Sequence, residues 1–236
     1  MQGTRTATSP AHDTAPPAHD TAPARPGYRP RDTRMPLAQA RALIDAHGFA
    51  TLTDDRLRVS HLPLVLARDE GELGTLYGHL ARANPHGHEL EGRRVLAVFN
   101  GPHGYVSPHW YAAGPAVPTW HYAVVHARGI VECLDDAATL ASLDALVARY
   151  EPDLLDDATL MSEAYRCRLL AGVVGFRIRL DELQGTAKLG QHRSRDDRAS
   201  VLAGLGASDD PLARQLGRYT ERYDQTLFDT ESDNEH

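Results

Sequence analysis

Behind Pro36, apolar residues recur at Leu37, Ala40, Leu43 and Ile44, the spacing of one helix face, and the proline suits a first turn where no N–H is needed. This predicts a helix ending near Gly48. The period then changes to two. Phe49 to Leu52 and Leu57 to Leu66 read as strands joined by an Asp54-Asp55 turn, the second setting Leu57, Val59 and His61 against Arg58, Ser60 and Leu62. Leu73 to Leu80, Arg94 to Phe99, Thr119 to Leu134 and Gly172 to Leu180 continue the strand pattern. A loop with Asn84-Pro85 and Gly87, and a Gly/Pro-rich stretch over 101–118, interrupt it. Helical periodicity returns over Asp135 to Tyr150, where Asp135 and Asp136 are placed to cap, and over Thr159 to Leu170, Arg195 to Leu205 and Pro211 to Tyr223. About six strands separated by turn signals predict an α+β domain, a closed or nearly closed antiparallel barrel decorated by helices. The chemistry is then expected on the loops.

Two segments stand outside this pattern. Residues 1–26 are rich in Ala, Pro, Thr and Asp and carry the near-repeat Ala-His-Asp-Thr-Ala-Pro-Pro at 11–17 and Ala-His-Asp-Thr-Ala-Pro at 18–23. Such composition buries too little apolar surface to offset ordering entropy, so a disordered extension is expected. Residues 226–236 form an acidic tail. One folded domain over 27–225 is left.

Composition narrows the function classes. The formal charge of −7 supplies no basic footprint for DNA, and the arginines are spread along the chain. The two cysteines, Cys133 and Cys167, lack Cys-x-x-Cys spacing and imply neither a disulfide framework nor a zinc site. No apolar run reaches membrane-span length and no basic-then-apolar leader opens the chain, so a cytoplasmic protein without membrane partners is expected. Most of the thirteen histidines lie between residues 47 and 126.

Three stretches carry chemical information. Val98 to Tyr111 packs Gly101, Pro102, His103, Gly104, Tyr105, His109 and Trp110 together, a combination suited to close backbone approach and to a planar ring, and equally to a rigid aromatic corner. Val117 to His126 starts a strand in which Trp120 and Tyr122 share one face and His121 lies opposite. Lys188 to Arg193 reads as a loop whose Lys188 and Arg193 suit phosphate or carboxylate, or stand as ordinary exposed cations.

With His61-Leu62-Pro63-Leu64, Gly78-His79-Leu80-Ala81 and Gly172 to Phe176, these motifs occur in the order of the PaiB-like family, which the chain resembles over about residues 28 to 205. The resemblance implies an antiparallel split β-barrel, a homodimer, and a cofactor at the subunit interface. Members are described as FMN-binding negative transcriptional regulators, and a subset are haem-dependent piperazate synthases.

The chain departs from the family pattern where Asn-Pro-Gln-Trp becomes Asn84-Pro85-His86-Gly87. The Ser-Pro-Ser-Trp-Tyr motif has His109, Thr-Trp-Asn-Tyr has His121, and Lys-Leu-Ser-Gln-Asn ends in His192. Lost serine and asparagine weaken FMN, and added imidazole suits haem iron, so haem b is expected, with FMN as the alternative. The resemblance then implies ring closure of N-hydroxyornithine, a hydroxylated amino acid, by nitrogen–nitrogen bond formation with loss of water. His61, His103 and His192 are alternative candidates for one axial ligand. Tyr105 and His109 are candidate proton donors. Trp110, Trp120 and Tyr122 are candidate ring contacts, and His79, Lys188, Gln191 and Arg193 complete the cofactor set. The alternative reading is an FMN-binding regulator that meets DNA, or a split-barrel flavin reductase.

Overall fold

The computed structural model describes the backbone of residues 31–233 and the side chains of residues 32–225. The expected N-terminal extension lies outside the described residues. In chain order the elements are β1 (Arg34–Met35), α1 (Leu37–Ala46), β2 (Phe49–Asp54), β3 (Val59–Pro63), β4 (Val65–Ala67), β5 (Thr75–Ala81), α2 (Pro85–His88), β6 (Arg94–Val106), β7 (Thr119–Cys133), α3 (Asp136–Tyr150), α4 (Glu163–Leu170), β8 (Val173–Lys188), α5 (Arg195–Ala207) and α6 (Pro211–Asp233).

The strands pair antiparallel in the order β3-β2-β6-β7-β8-β5-β4, with β1 added to β8. β3 and β4 end this path, yet they are consecutive in the chain with only the buried Leu64 between them. The path must therefore curl until its ends meet, which closes the barrel and removes its edges. Period two survives in the burial of β7: His121, Ala123, Val125, Ala127, Gly129 and Val131 point inward, and their neighbours do not. Phe99, Phe176, Leu52, Leu76 and Ile178 fill the interior. Each such side chain contributes about 1.5–3 kcal/mol by leaving water.

The helices follow local chemistry. α1 buries Ala40, Leu43 and Ile44, the face read from the sequence. Asp135 caps α3 by accepting from the Ala138 N–H, and Ser194 caps α5 by accepting from the Asp197 N–H. α4 begins at Glu163 and not at Thr159, because Ser162 supplies the N-cap while the Asp157 side chain holds Thr159 and Leu160 in the preceding turn. The backbone of α6 continues to Asp233, past the expected start of the acidic tail at residue 226.

Three strand boundaries differ from the sequence reading. The strand expected over Leu57 to Leu66 breaks at Leu64. β6 runs through Gly101 and Pro102 to Val106, where a loop was expected. Its register shifts between Asn100 and His103, so the proline, which has no N–H to give a ladder, sits at the irregularity. β8 runs to Lys188, so Lys188 ends a strand instead of lying in a loop. Its polar stretch pairs with polar positions of β7, Glu182 opposite Arg128 and Gln184 opposite His126.

Candidate functional site

Past the irregularity in β6, cross-strand partners stack aromatic groups on the outer side of the barrel. Tyr105 pairs with Trp120 and His103 with Tyr122, which in turn pairs with Lys188 on β8. The Tyr105 and Trp120 rings meet edge to face, centroids 6.4 Å apart at 73°. Tyr105 is 46% and Trp120 55% exposed. Beside them Asn100, Gly101, His103, Tyr122 and Val124 border an open depression of about 430 Å³. Phe49 and Val59, on β2 and β3, are exposed as well. Contiguous exposed rings of this kind mark a surface made for a partner or ligand.

The histidines divide sharply. His103 is exposed, with its Nδ1 3.1 Å from the Gly101 carbonyl oxygen. His61 is exposed on β3, in a row that runs through Thr51 and Val98 to His126. Burial, and then the Arg128 charge, hold His126 below the ordinary imidazole range. His126 shares strand parity with Trp120 and Tyr122, a signal from which the sequence reading could have found it.

None of the four imidazoles that depart from the family pattern stands in the aromatic row. His86 is buried, with Nδ1 2.8 Å from Ser60 Oγ and Nε2 3.7 Å from the Asp54 carboxylate. Asn84 caps this turn by accepting from the His86 N–H. His121 is buried, and burial followed by the charges of Lys188, His192 and Arg193 pushes it down to about 4. His109 is exposed on a short 3₁₀ turn whose start is held by Ser107 Oγ. His192 is exposed, 3.8 Å from Asp32. These departures therefore give haem no geometric support: two of the imidazoles serve the interior and the other two lie on exposed turns.

The remaining candidates also separate. Trp110 is partly buried and packs under α5, so close that a Cβ on Gly204 would lie 2.5 Å from its ring, which sets it against the core and apart from the Tyr105–Trp120 pair. His79 lies on β5 against α3 and α4. Gln191 spends its amide on the local turn, accepting from the Leu189 N–H and donating to the Ala187 carbonyl. The Lys188 ammonium donates to Thr119 Oγ1 at 2.8 Å. The Arg193 guanidinium stacks 4.7 Å over the Tyr111 ring, a pairing between loops that spacing alone did not show. What the structure gathers is a row of rings with His103 on it, with the cations Lys188 and Arg193 acting on His121 nearby. Such a surface can stack a flat conjugated ring and pair its anionic substituents.

Among the described residues no three His, Cys, Asp or Glu side chains group as a metal site, and no helix is long and apolar enough to cross a membrane.

Closed antiparallel strands and flanking helices define a split-barrel protein, with an exposed aromatic row on its outer side. The chain belongs to the family described as "Putative FMN-binding domain", whose model matches residues 28–182. It is 32% identical over 171 residues to the protease synthase and sporulation protein PAI 2 of Bacillus subtilis, covering 69% of this chain and 79% of that protein. This bears out the PaiB-like resemblance. It is also 30% identical over 191 residues to the uncharacterized protein AN0679 of Emericella nidulans, covering 63% and 75% of the two chains. Two solved structures share the fold with a TM-score of 0.54: the flavocytochrome Anf3 of Azotobacter vinelandii and an FAD- and haem-binding protein of Mycobacterium smegmatis. The first is 16% identical and covers 71% of this chain and 74% of that one; the second is 18% identical, with 72% and 80%.

Proposed function

We propose that the protein holds FMN on the outer face of β6 and β7, with the flat ring against Tyr105, Trp120 and Tyr122 and the phosphate toward Lys188, His192 and Arg193. The exposed, edge-to-face Tyr105–Trp120 pair is the observation that carries this reading. Such rings otherwise leave a large apolar area in water. The family description supports flavin, and so do the Lys188 and Arg193 charges that both bear on the neighbouring His121. A second protomer laid on the same face would cover Phe49 and Val59 and close the site, the homodimer expected for the family. Bound flavin supplies one- or two-electron transfer. The protein's part is to orient the ring and to exclude water from it.

A specific observation favours a second reading, haem b on the same face. The His103 Nδ1 is tied to a backbone carbonyl, which is how metal-ligating histidines are held with Nε2 directed outward. Among the described residues His61 is a further exposed imidazole of this side, so His61 or His103 would hold the iron. Haem would supply Lewis-acid activation of an N–O bond. The expected reaction is that of a piperazate synthase: the N-hydroxyornithine α-amine forms a bond to the hydroxylated nitrogen, the N–O bond breaks, and the oxygen leaves as water. Tyr105 would deliver a proton to that oxygen, and Lys188 and Arg193 would hold the substrate carboxylate.

The test is an absorption spectrum of protein produced with both riboflavin and a haem precursor, followed by a pyridine haemochrome assay. A stoichiometric flavin spectrum supports the first reading. A stoichiometric Soret band without flavin overturns it in favour of the second.

A further inference from the structure

His79 is a histidine the cofactor face leaves unused. It stands on β5, and with Leu140, Leu143, Val147, Met161 and Leu169 it lines a partly enclosed cavity of about 210 Å³ beneath α3 and α4. The half-buried imidazole makes no hydrogen bond to any of the described residues. The other polar groups at this cavity, Asp144 and Arg166, pair through Arg166 Nη1 at 2.9 Å, while the Arg166 Nε is buried without a partner among the described residues.

These features select a ligand. An apolar cavity of roughly 150 Å³ takes up benzene, so this one has room for a single six-membered ring with a substituent and none for a flavin or haem. A charged ligand would lose its hydration and meet no net countercharge, since Asp144 offsets the Arg166 charge and leaves only the Arg166 Nε–H as a free donor. Burial holds His79 below the ordinary imidazole range, so it presents one donor and one acceptor at neutral pH. An apolar molecule without a polar group would make no use of that acceptor.

We propose that the cavity between β5, α3 and α4 is a second binding site, for a small neutral phenol-class molecule whose ring lies among Leu140, Leu143, Val147, Met161 and Leu169 and whose hydroxyl donates to His79. The site is independent of the face that carries FMN.

The experiment is ligand-observed NMR with the full chain, using phenol as probe and toluene and benzoate as comparisons. Phenol should bind saturably, toluene more weakly, and benzoate should give no signal. His79→Leu should lower phenol affinity about tenfold while leaving toluene unchanged, the loss of one hydrogen bond in an apolar site. Leu143→Phe, which fills the cavity, should abolish both. Circular dichroism confirms folding of each variant, and Val147→Phe replaces Leu143→Phe should the latter not fold. Phenol binding that does not saturate, or that persists unchanged in His79→Leu and in the filled variant, would overturn the proposal.

Discussion

Tyr105 and Trp120 stand opposite each other on β6 and β7, ring edge to ring face, and both stay about half exposed. Because neither ring is core, Trp120→Ala should cost little stability beyond the pair itself, about 0.5–1.5 kcal/mol. Its effect should fall on the cofactor instead, weakening FMN at least tenfold in a flavin fluorescence titration. Unaltered FMN affinity in both Trp120→Ala and Tyr105→Ala would remove the face from consideration.

Trp110 should behave in the opposite way. Its ring is wedged against α5 at Gly204. Trp110→Ala is expected to lose about 2–3 kcal/mol in urea unfolding, somewhat less than a fully buried aromatic, because the ring is packed against the core but partly exposed. Gly204→Ala should also destabilise, by about 1–3 kcal/mol, because the added methyl must displace the indole. A Trp110→Ala protein of near-native stability would contradict the placement.

How far these differences were legible follows from the particular residues. β7 is legible because a long β-branched and aromatic run between turn signals fixes a strand, and the period of two then separates Trp120 and Tyr122 from His121 as the burial does. β6 and β8 were cut short because Pro102 and the polar run Asp181, Glu182 and Gln184 look like loop when each strand is read alone. Only the facing residues of β7 make them strand. The same limit affects the histidines. Imidazole in a motif states a capacity, and whether His86 meets Ser60 inside or His103 faces out is decided by contacts distant in sequence.

The two imidazoles of the outer side give a test of the haem reading. If haem is bound, either His103→Gly or His61→Gly should lose the Soret band on dialysis and regain it when imidazole is added, and His192→Gly should keep it. The absorbance ratio of Soret to protein bands before and after imidazole measures this. Retention of the full band by both the His61 and His103 variants would eliminate both as donors.

His121 makes the fold sensitive to acid. Its buried imidazole, surrounded by Lys188, His192 and Arg193, titrates near 4 in the folded chain against an ordinary value of 6.5. The unfolded chain therefore binds the proton first, and stability falls as pH drops below 6.5, reaching its full loss near 4. The shift corresponds to about 3 kcal/mol in total, of which about 2 kcal/mol is gone by pH 5. His86, also held low by burial, acts in the same direction. His121→Asn removes the titrating group while keeping a polar side chain at the same inward position of β7. Urea unfolding at pH 7 and pH 5 should therefore show a difference between the two pH values about 2 kcal/mol smaller in the variant than in the parent. An identical pH dependence in the two proteins would mean that His121 is already hydrated, or paired, in the native state.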